Sequence, residues 1–186
     1  MKRAACAALP ACPPWGARSC AWRFQQTRGQ DLQRIRHIQS LAYDDLPPDR
    51  HGALLSRQRW AGELACSAWC RGQIWGHVQA LPWRRGEPLA LDQWITDPGS
   101  GRDVLFLYEV AIHPRAQGLG LGARLLSHVE AIGRSRGLAG IGLIAYGRAA
   151  AYWRRQGFQP HPVSPGAGEA AMVSYGGQGQ YLFKPF

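Results

Sequence analysis

The residues best placed to do chemistry lie between Glu109 and Ala123, which read Glu-Val-Ala-Ile-His-Pro-Arg-Ala-Gln-Gly-Leu-Gly-Leu-Gly-Ala. Glu109 is the only acid in the apolar run Leu105 to Ile112. A carboxylate is costly to bury there unless it is paired or used, and burial raises its pKa toward the range of a general base. After Pro114 the glycines Gly118, Gly120 and Gly122 form a turn that opens a helix. A helix start leaves backbone N–H groups unpaired and carries partial positive charge, so it holds an anion without a cationic side chain. Glycine lets the main chain turn sharply and approach that anion closely. A dinucleotide fold would need an acid about 20 residues onward. The stretch Ile132 to Tyr152 has no Asp or Glu. A phosphate loop needs Gly-Lys-Ser/Thr, and Lys2 and Lys184 are the only lysines.

Gln117-x-x-Gly120-x-Gly122 has the form of the acetyl-coenzyme A signature Gln/Arg-x-x-Gly-x-Gly/Ala. The chain therefore resembles the GNAT superfamily of N-acetyltransferases. The resemblance covers about 22 to 186, and Pro82-Trp83, Gly86, the Ala150 to Phe158 segment and Ser174-Tyr175-Gly176 look like an uncharacterised bacterial subgroup. It implies an α/β (α+β) fold with a central mixed, mostly antiparallel, splayed β-sheet flanked by helices. It also implies acetyl-CoA as cosubstrate, with no metal. The pantetheine arm would pair with the backbone of Val110, Ala111 and Ile112, the thioester carbonyl being polarised by the N–H of Val110 or Ile112. Gln117, Gly118, Leu119, Gly120, Leu121, Gly122 and Ala123 would hold the pyrophosphate. Glu109 would be the base, with His113 as runner-up. Many members protonate the leaving thiolate with a Tyr five residues before the Phe of Gly-Phe. Trp153 stands there, Tyr152 should face another way, and Tyr175 or Tyr146 is left for that role. Tyr146 also stands where an Asn often contacts pantetheine.

Several elements must position these residues. Trp22 to Thr27 alternates as a first strand. Leu32, Ile35, Ile38 and Leu41 mark a helix over about 31 to 43, and a second helix is expected over about 51 to 60. Leu64–Cys70 and Gln73–Leu81 read as a hairpin, followed by a long loop from Pro82 to Arg102. Asp103–Ile112 reads as a strand buried on both faces. Then come a helix over about 120 to 135, a strand over 138–146, a short helix over 149–155 and a final hairpin over about 171 to 184. The acceptor would lie opposite the cosubstrate, walled by Trp60, Trp83 and Trp94.

The 186 residues suit one domain. Residues 1–21, mixing Ala, Cys and Pro without period, are expected to be a disordered extension before a domain at 22–186. The net charge is +10, and all but two of the 22 basic residues are arginine. That surface favours anionic partners such as coenzyme A and disfavours polycationic acceptors. The arginines are dispersed, so nucleic-acid binding is the least favoured reading. Five cysteines, three of them within residues 1–21, argue against a disulfide framework. Cys66 and Cys70 are expected as small buried hydrophobes. The implied function is a cytoplasmic acetyl-CoA:amine N-acetyltransferase acting by direct attack in a ternary complex. Its partner would be a small-molecule or peptide amine acceptor, with no membrane and a homodimer left open. The alternative is a GNAT-fold module that binds acyl-CoA as a sensor without turnover.

Overall fold

The computed structural model describes residues 20–43, 46–147 and 149–186. The expectation for residues 1–21 therefore falls almost wholly outside the described residues. Strand β1 (Arg23–Gln26) is followed by helices α1 (Leu32–Ala42) and α2 (His51–Ala61), then β2 (Ala65–Cys70), β3 (Gln73–Trp83) and β4 (Val104–Ile112). Next come α3 (Leu121–Ser135), β5 (Gly140–Tyr146), α4 (Ala149–Arg155), β6 (Gln159–Pro160), α5 (Ala167–Val173) and β7 (Gly179–Pro185). Among the described residues the strands form one sheet in the order β1-β2-β3-β4-β5-β7-β6. Only β4 and β5 run parallel.

Two departures from regular pairing shape the centre of that sheet. Gln79 pairs with Glu109 but Ala80 pairs with Leu107, so Tyr108 is an extra residue in β4. Such a bulge sends two consecutive side chains to one face. Tyr108 and Glu109 both reach residues of α1, α2 and the segment between them. The second departure is that β4 pairs with β5 only over Leu105–Leu107. From Tyr108 onward that edge of β4 has no partner strand among the described residues.

The helices follow from apolar spacing. Leu121, Leu125, Leu126 and Val129 of α3 join the main core against the sheet. Leu32 and Ile35 of α1 pack with Leu54 of α2, and Ile38 packs with Ile74 and Ala111. Leu41, expected in the same stripe, is 39% exposed, whereas Gln39 is 2% exposed. A period of three drifts off a helix of 3.6 residues per turn, which returns to the face of Leu32 after about seven residues, at Gln39.

Four other expectations are corrected. The hairpin over 171–184 is instead α5 and β7, and β7 pairs with β5 and β6. Trp83 ends β3 and is buried, so the loop starts after it. Residues 110 and 112 of β4 are only half-buried, because β5 does not cover that end. Cys70 is bonded to Cys20, with Cα atoms 6.3 Å apart, while Cys66 remains a free buried thiol whose pKa burial pushes up to about 11. The pairing of Arg23 with Trp69 brings the residues before β1 beside the end of β2, a proximity that no local spacing encodes.

Gly133 sets how closely α3 seats on the sheet. A Cβ there would stand 2.7 Å from Leu105 Cδ1 and 2.6 Å from Phe186 Cε2. Gly133→Val should therefore cost about 2 kcal/mol through overpacking. Differential scanning calorimetry should show Tm lowered by roughly 4–8 °C; an unchanged Tm would mean that α3 has slack there.

Candidate active site

The glycine turn lies at the open end of the β4 edge. Gly118 and Gly120 have φ of +76° and +73°, left-handed values that favour glycine, and a Cβ at either would meet nothing within 4 Å. Gly120 is the residue before α3, and the first amides of that helix have no intrahelical acceptor. A Cβ at Gly122 would lie 3.9 Å from the side chains of both Val110 and Ile112. The N–H of His113 donates to Trp75 O, so by the two-residue alternation of an antiparallel ladder the N–H and C=O of Val110 and Ile112 point away from β3. Two of those carbonyls are met by side chains: Tyr43 OH donates to Val110 O at 3.1 Å and Gln117 Nε2 to Ile112 O at 3.3 Å. Strand edge, glycines and helix start together form a continuous row of backbone donors that suits a linear ligand ending in phosphates.

On the opposite face sits a buried polar cluster that gathers residues from four elements. Gln39 Nε2 donates to Glu109 Oε2 at 2.8 Å and to Asp49 Oδ2 at 2.9 Å. Both partners are carboxylate oxygens, so the amide nitrogen must face them. Arg57 Nη2 lies 2.7 Å from Asp49 Oδ2, with its side chain wholly buried. Its Nε donates to Gln79 Oε1 at 2.9 Å, and its guanidinium lies 3.8 Å from the centre of the Tyr108 ring. Tyr108 OH donates to Asp49 Oδ1 at 3.1 Å. Burial, followed by the charge of Asp49, raises Glu109 to about 8, against the pull of Gln39 and Arg57. Glu109 thus neither points into solvent nor forms an ion pair of its own.

Both faces meet in one cavity of about 370 Å³. Glu109, Gln39 and Asp49 line it together with Val110, Ile112 and Gly122. Glu109 Oε1 and Gln39 Oε1 are buried without a protein partner. Among the described residues no group of three or more His, Cys, Asp or Glu is arranged to hold a metal ion. None of the described helices is long and apolar enough to cross a membrane.

Residues 32–158 match the family model described as the acetyltransferase (GNAT) family. The chain belongs to that family. This GNAT acetyltransferase is similar in fold to Ard1 from Thermoplasma volcanium, at 12% identity and a TM-score of 0.66 over 89% of this chain and 97% of that one. A GNAT family acetyltransferase from Brucella melitensis in complex with acetyl-CoA gives 19%, 0.59, 89% and 88% for the same measures. Arabidopsis thaliana Naa50 in complex with the bisubstrate analogue CoA-Ac-MVNAL gives 14%, 0.60, 89% and 99%. No curated protein is similar enough in sequence to add to these.

The GNAT domain brings together Glu109, Val110, Ala111, Ile112 and the turn Gln117–Ala123, all read from the sequence. His113 is a loop residue: its Nδ1 accepts from Arg115 N at 3.1 Å and its ring meets Trp75 edge-on. The placements of Tyr152 and of the expected acceptor walls differ from expectation. Tyr152 lines the cavity, its hydroxyl 3.6 Å from the Cβ position of Gly122, where it was expected to face away. Trp153 lines the cavity beside it, and the two rings pack edge to face. The proposed acceptor walls Trp60, Trp83 and Trp94 do not line the cavity: Trp83 is core, and the other two are exposed. Tyr175 does line it, with its hydroxyl donating to Leu89 O at 2.9 Å. The residues missed outright are Gln39, Asp49, Arg57 and Tyr108. The one sequence signal for them was an Arg, at 57, on the inward face of α2 beside Ala53 and Leu54.

The raised pKa of Glu109 is also a statement about stability. The folded protein keeps a proton that the unfolded chain releases above pH about 4.5, so this group's contribution is present below that pH and is lost as pH climbs through about 8. Glu109→Gln cannot lose it. Relative to wild type, the variant's Tm should rise by several degrees between about pH 5 and about pH 9, each unit of raised pKa being worth about 1.4 kcal/mol. Thermal melts across that range check this, and a flat difference would mean the carboxyl ionises as it does in water.

Proposed function

We propose that the protein is an acetyl-CoA:amine N-acetyltransferase in which a primary amine attacks the thioester directly. The observation that carries this reading is that the Glu109 carboxyl and the unpaired edge of β4 line the same cavity. Backbone N–H groups of Val110 and Ile112, with Ala111 between them, would align the pantetheine arm and draw electron density from the thioester carbonyl. Gln117 and the amides from Gly118 to Ala123 would hold the pyrophosphate. Glu109 accepts the proton of the amine, directly or through one water. For the leaving thiolate we assign the proton to Tyr152, because its hydroxyl lies beside Gly122, whereas the Tyr175 hydroxyl is committed to Leu89. Burial raises Tyr152 above the ordinary tyrosine value, so it carries its proton at neutral pH. None of the described residues lining the cavity is a cysteine, and the reading is of transfer in a ternary complex. A cytoplasmic location, where acetyl-CoA is available, belongs to this reading. It stands in tension with the Cys20–Cys70 bond, since that compartment keeps thiols reduced.

A second reading is a non-catalytic acyl-CoA sensor, favoured by Trp153 standing where the acid tyrosine of many relatives would be. One experiment tests the cofactor site that both readings share, and a second separates them. Gly120→Asp puts a side chain and a negative charge at the start of α3, so calorimetry on folded variant should show coenzyme A affinity lower by a factor of ten or more, about 1.4 kcal/mol. Unchanged affinity would remove the phosphate cradle.

Glu109→Gln should leave coenzyme A binding intact and lower turnover roughly 10²- to 10⁴-fold at neutral pH. In the wild type kcat/KM should rise with pH through about 8, as Glu109 loses its proton, and the variant's defect should shrink near the acceptor's own pKa. Wild-type turnover by the variant at every pH would make Glu109 structural.

A further inference from the structure

The side of the cavity away from the glycine turn is chemically one-sided. Its wall is Tyr43, Leu46, Pro47, Leu91, Tyr108 and Tyr175. The hydroxyl hydrogens of the three tyrosines are already spent inside the protein, on Val110 O, Asp49 Oδ1 and Leu89 O. What these rings offer a ligand is therefore hydrocarbon and π-faces. None of the described lining residues is Lys or Arg. Asp49 is occupied by Arg57, Gln39 and Tyr108. The unpartnered buried polar atoms on lining residues are Glu109 Oε1 and Gln39 Oε1, both acceptors. A ligand that satisfies them brings N–H donors at one end and a largely apolar body at the other.

One side of the cavity is also bounded by a tethered loop. The loop after β3 is tied to the segment before β7: Ser164 N donates to Gly86 O at 2.7 Å, Leu91 N to Ser174 Oγ at 3.0 Å and Tyr175 OH to Leu89 O at 2.9 Å. On its other side the same loop is tied to α2, through Ile95 N to Ser56 Oγ at 3.1 Å and Arg57 Nη1 to Gln93 O at 2.8 Å. An extended peptide entering from this side would have to break such contacts, and its backbone carbonyls would find no donors among spent hydroxyls.

Building on the N-acetyltransferase reading, we infer that the acceptor is a compact primary monoamine with an apolar, aryl-sized body, its nitrogen drawn to the end of the cavity formed by Glu109 and Gln39. Among the described lining residues an acceptor carboxylate would meet no cationic donor, a polyol too few partners, and a second ammonium no anion that is not already paired. The ammonium gives one proton to the Glu109 carboxylate. The neutral nitrogen then forms a C–N bond to the thioester carbonyl carbon as the C–S bond breaks. Tyr152 gives its proton to the thiolate and regains the one that nitrogen loses in that step, while Glu109 returns its own to solvent after the amide leaves.

The test uses the full chain with acetyl-CoA and reads free thiol for 2-phenylethylamine, hexylamine, phenylalanine, spermidine, glucosamine and the peptide Met-Val-Asn-Ala-Leu. The expected result is kcat/KM for 2-phenylethylamine exceeding that for phenylalanine roughly a hundredfold or more, with spermidine, glucosamine and the peptide also far below it. Leu91→Trp, which narrows this wall, should cut that value roughly tenfold while calorimetry shows coenzyme A affinity within about twofold of wild type. Preference for the peptide, the sugar, spermidine or the amino acid would overturn this inference and leave the N-acetyltransferase reading standing. Coenzyme A binding without turnover of any amine would overturn both. A Leu91→Trp defect confined to coenzyme A binding would show that this wall is not the acceptor side.

Discussion

Everything at the site follows from β4 losing its parallel partner after Leu107. A strand edge in a protein interior cannot stay unpaired without cost, because each backbone N–H or C=O left alone is worth about as much as a lost hydrogen bond. Here the carbonyls are partly satisfied by Tyr43 and Gln117, which leaves the row richer in donors than in acceptors. Such an edge calls for an extended ligand with carbonyls of its own, which is how an added strand is recognised. The same divergence opens the cavity, and the α3 start lies where the chain leaves that strand. The proposed ligand alignment, anion binding and access to Glu109 would thus all be consequences of one break in one ladder.

The bulge at Tyr108 is what sets a carboxylate into that opening with a tuned proton affinity. Because Tyr108 and Glu109 share a face, the Tyr108 ring can lie under the Arg57 guanidinium while Glu109 meets Gln39. A buried ion pair such as Arg57–Asp49 rarely adds much net stability, since desolvation consumes most of the Coulombic gain. Its value is positional. The Arg57 charge lets Asp49 sit close to Glu109, and that neighbouring carboxylate adds to burial in holding the Glu109 proton. Glu109 is itself nearly shut off from water, so its carboxyl acts more strongly than it would on an open surface.

Local chemistry alone was enough to read the glycine turn, the lone acid in an apolar strand and most elements up to residue 155. Glycines at a helix start and an acid among apolar neighbours carry their meaning in consecutive residues, so Gly118, Gly120, Gly122 and Glu109 were all legible. The family match and the splayed sheet bear out the fold class drawn from them. Only the tertiary structure decided what surrounds that acid. Gln39, Asp49, Arg57 and Tyr108 come from separate elements, and each alone looks like an ordinary surface polar residue until packing removes its solvent. A bulge shifts side-chain alternation without leaving a trace in composition, which hid the shared face of Tyr108 and Glu109. The same limit explains Tyr152, turned into the cavity by how α4 packs, and the Cys20–Cys70 contact set by sheet register. Spacing along a chain determines which backbone can turn and which strand is apolar, but proximity between distant residues is decided by how the elements pack.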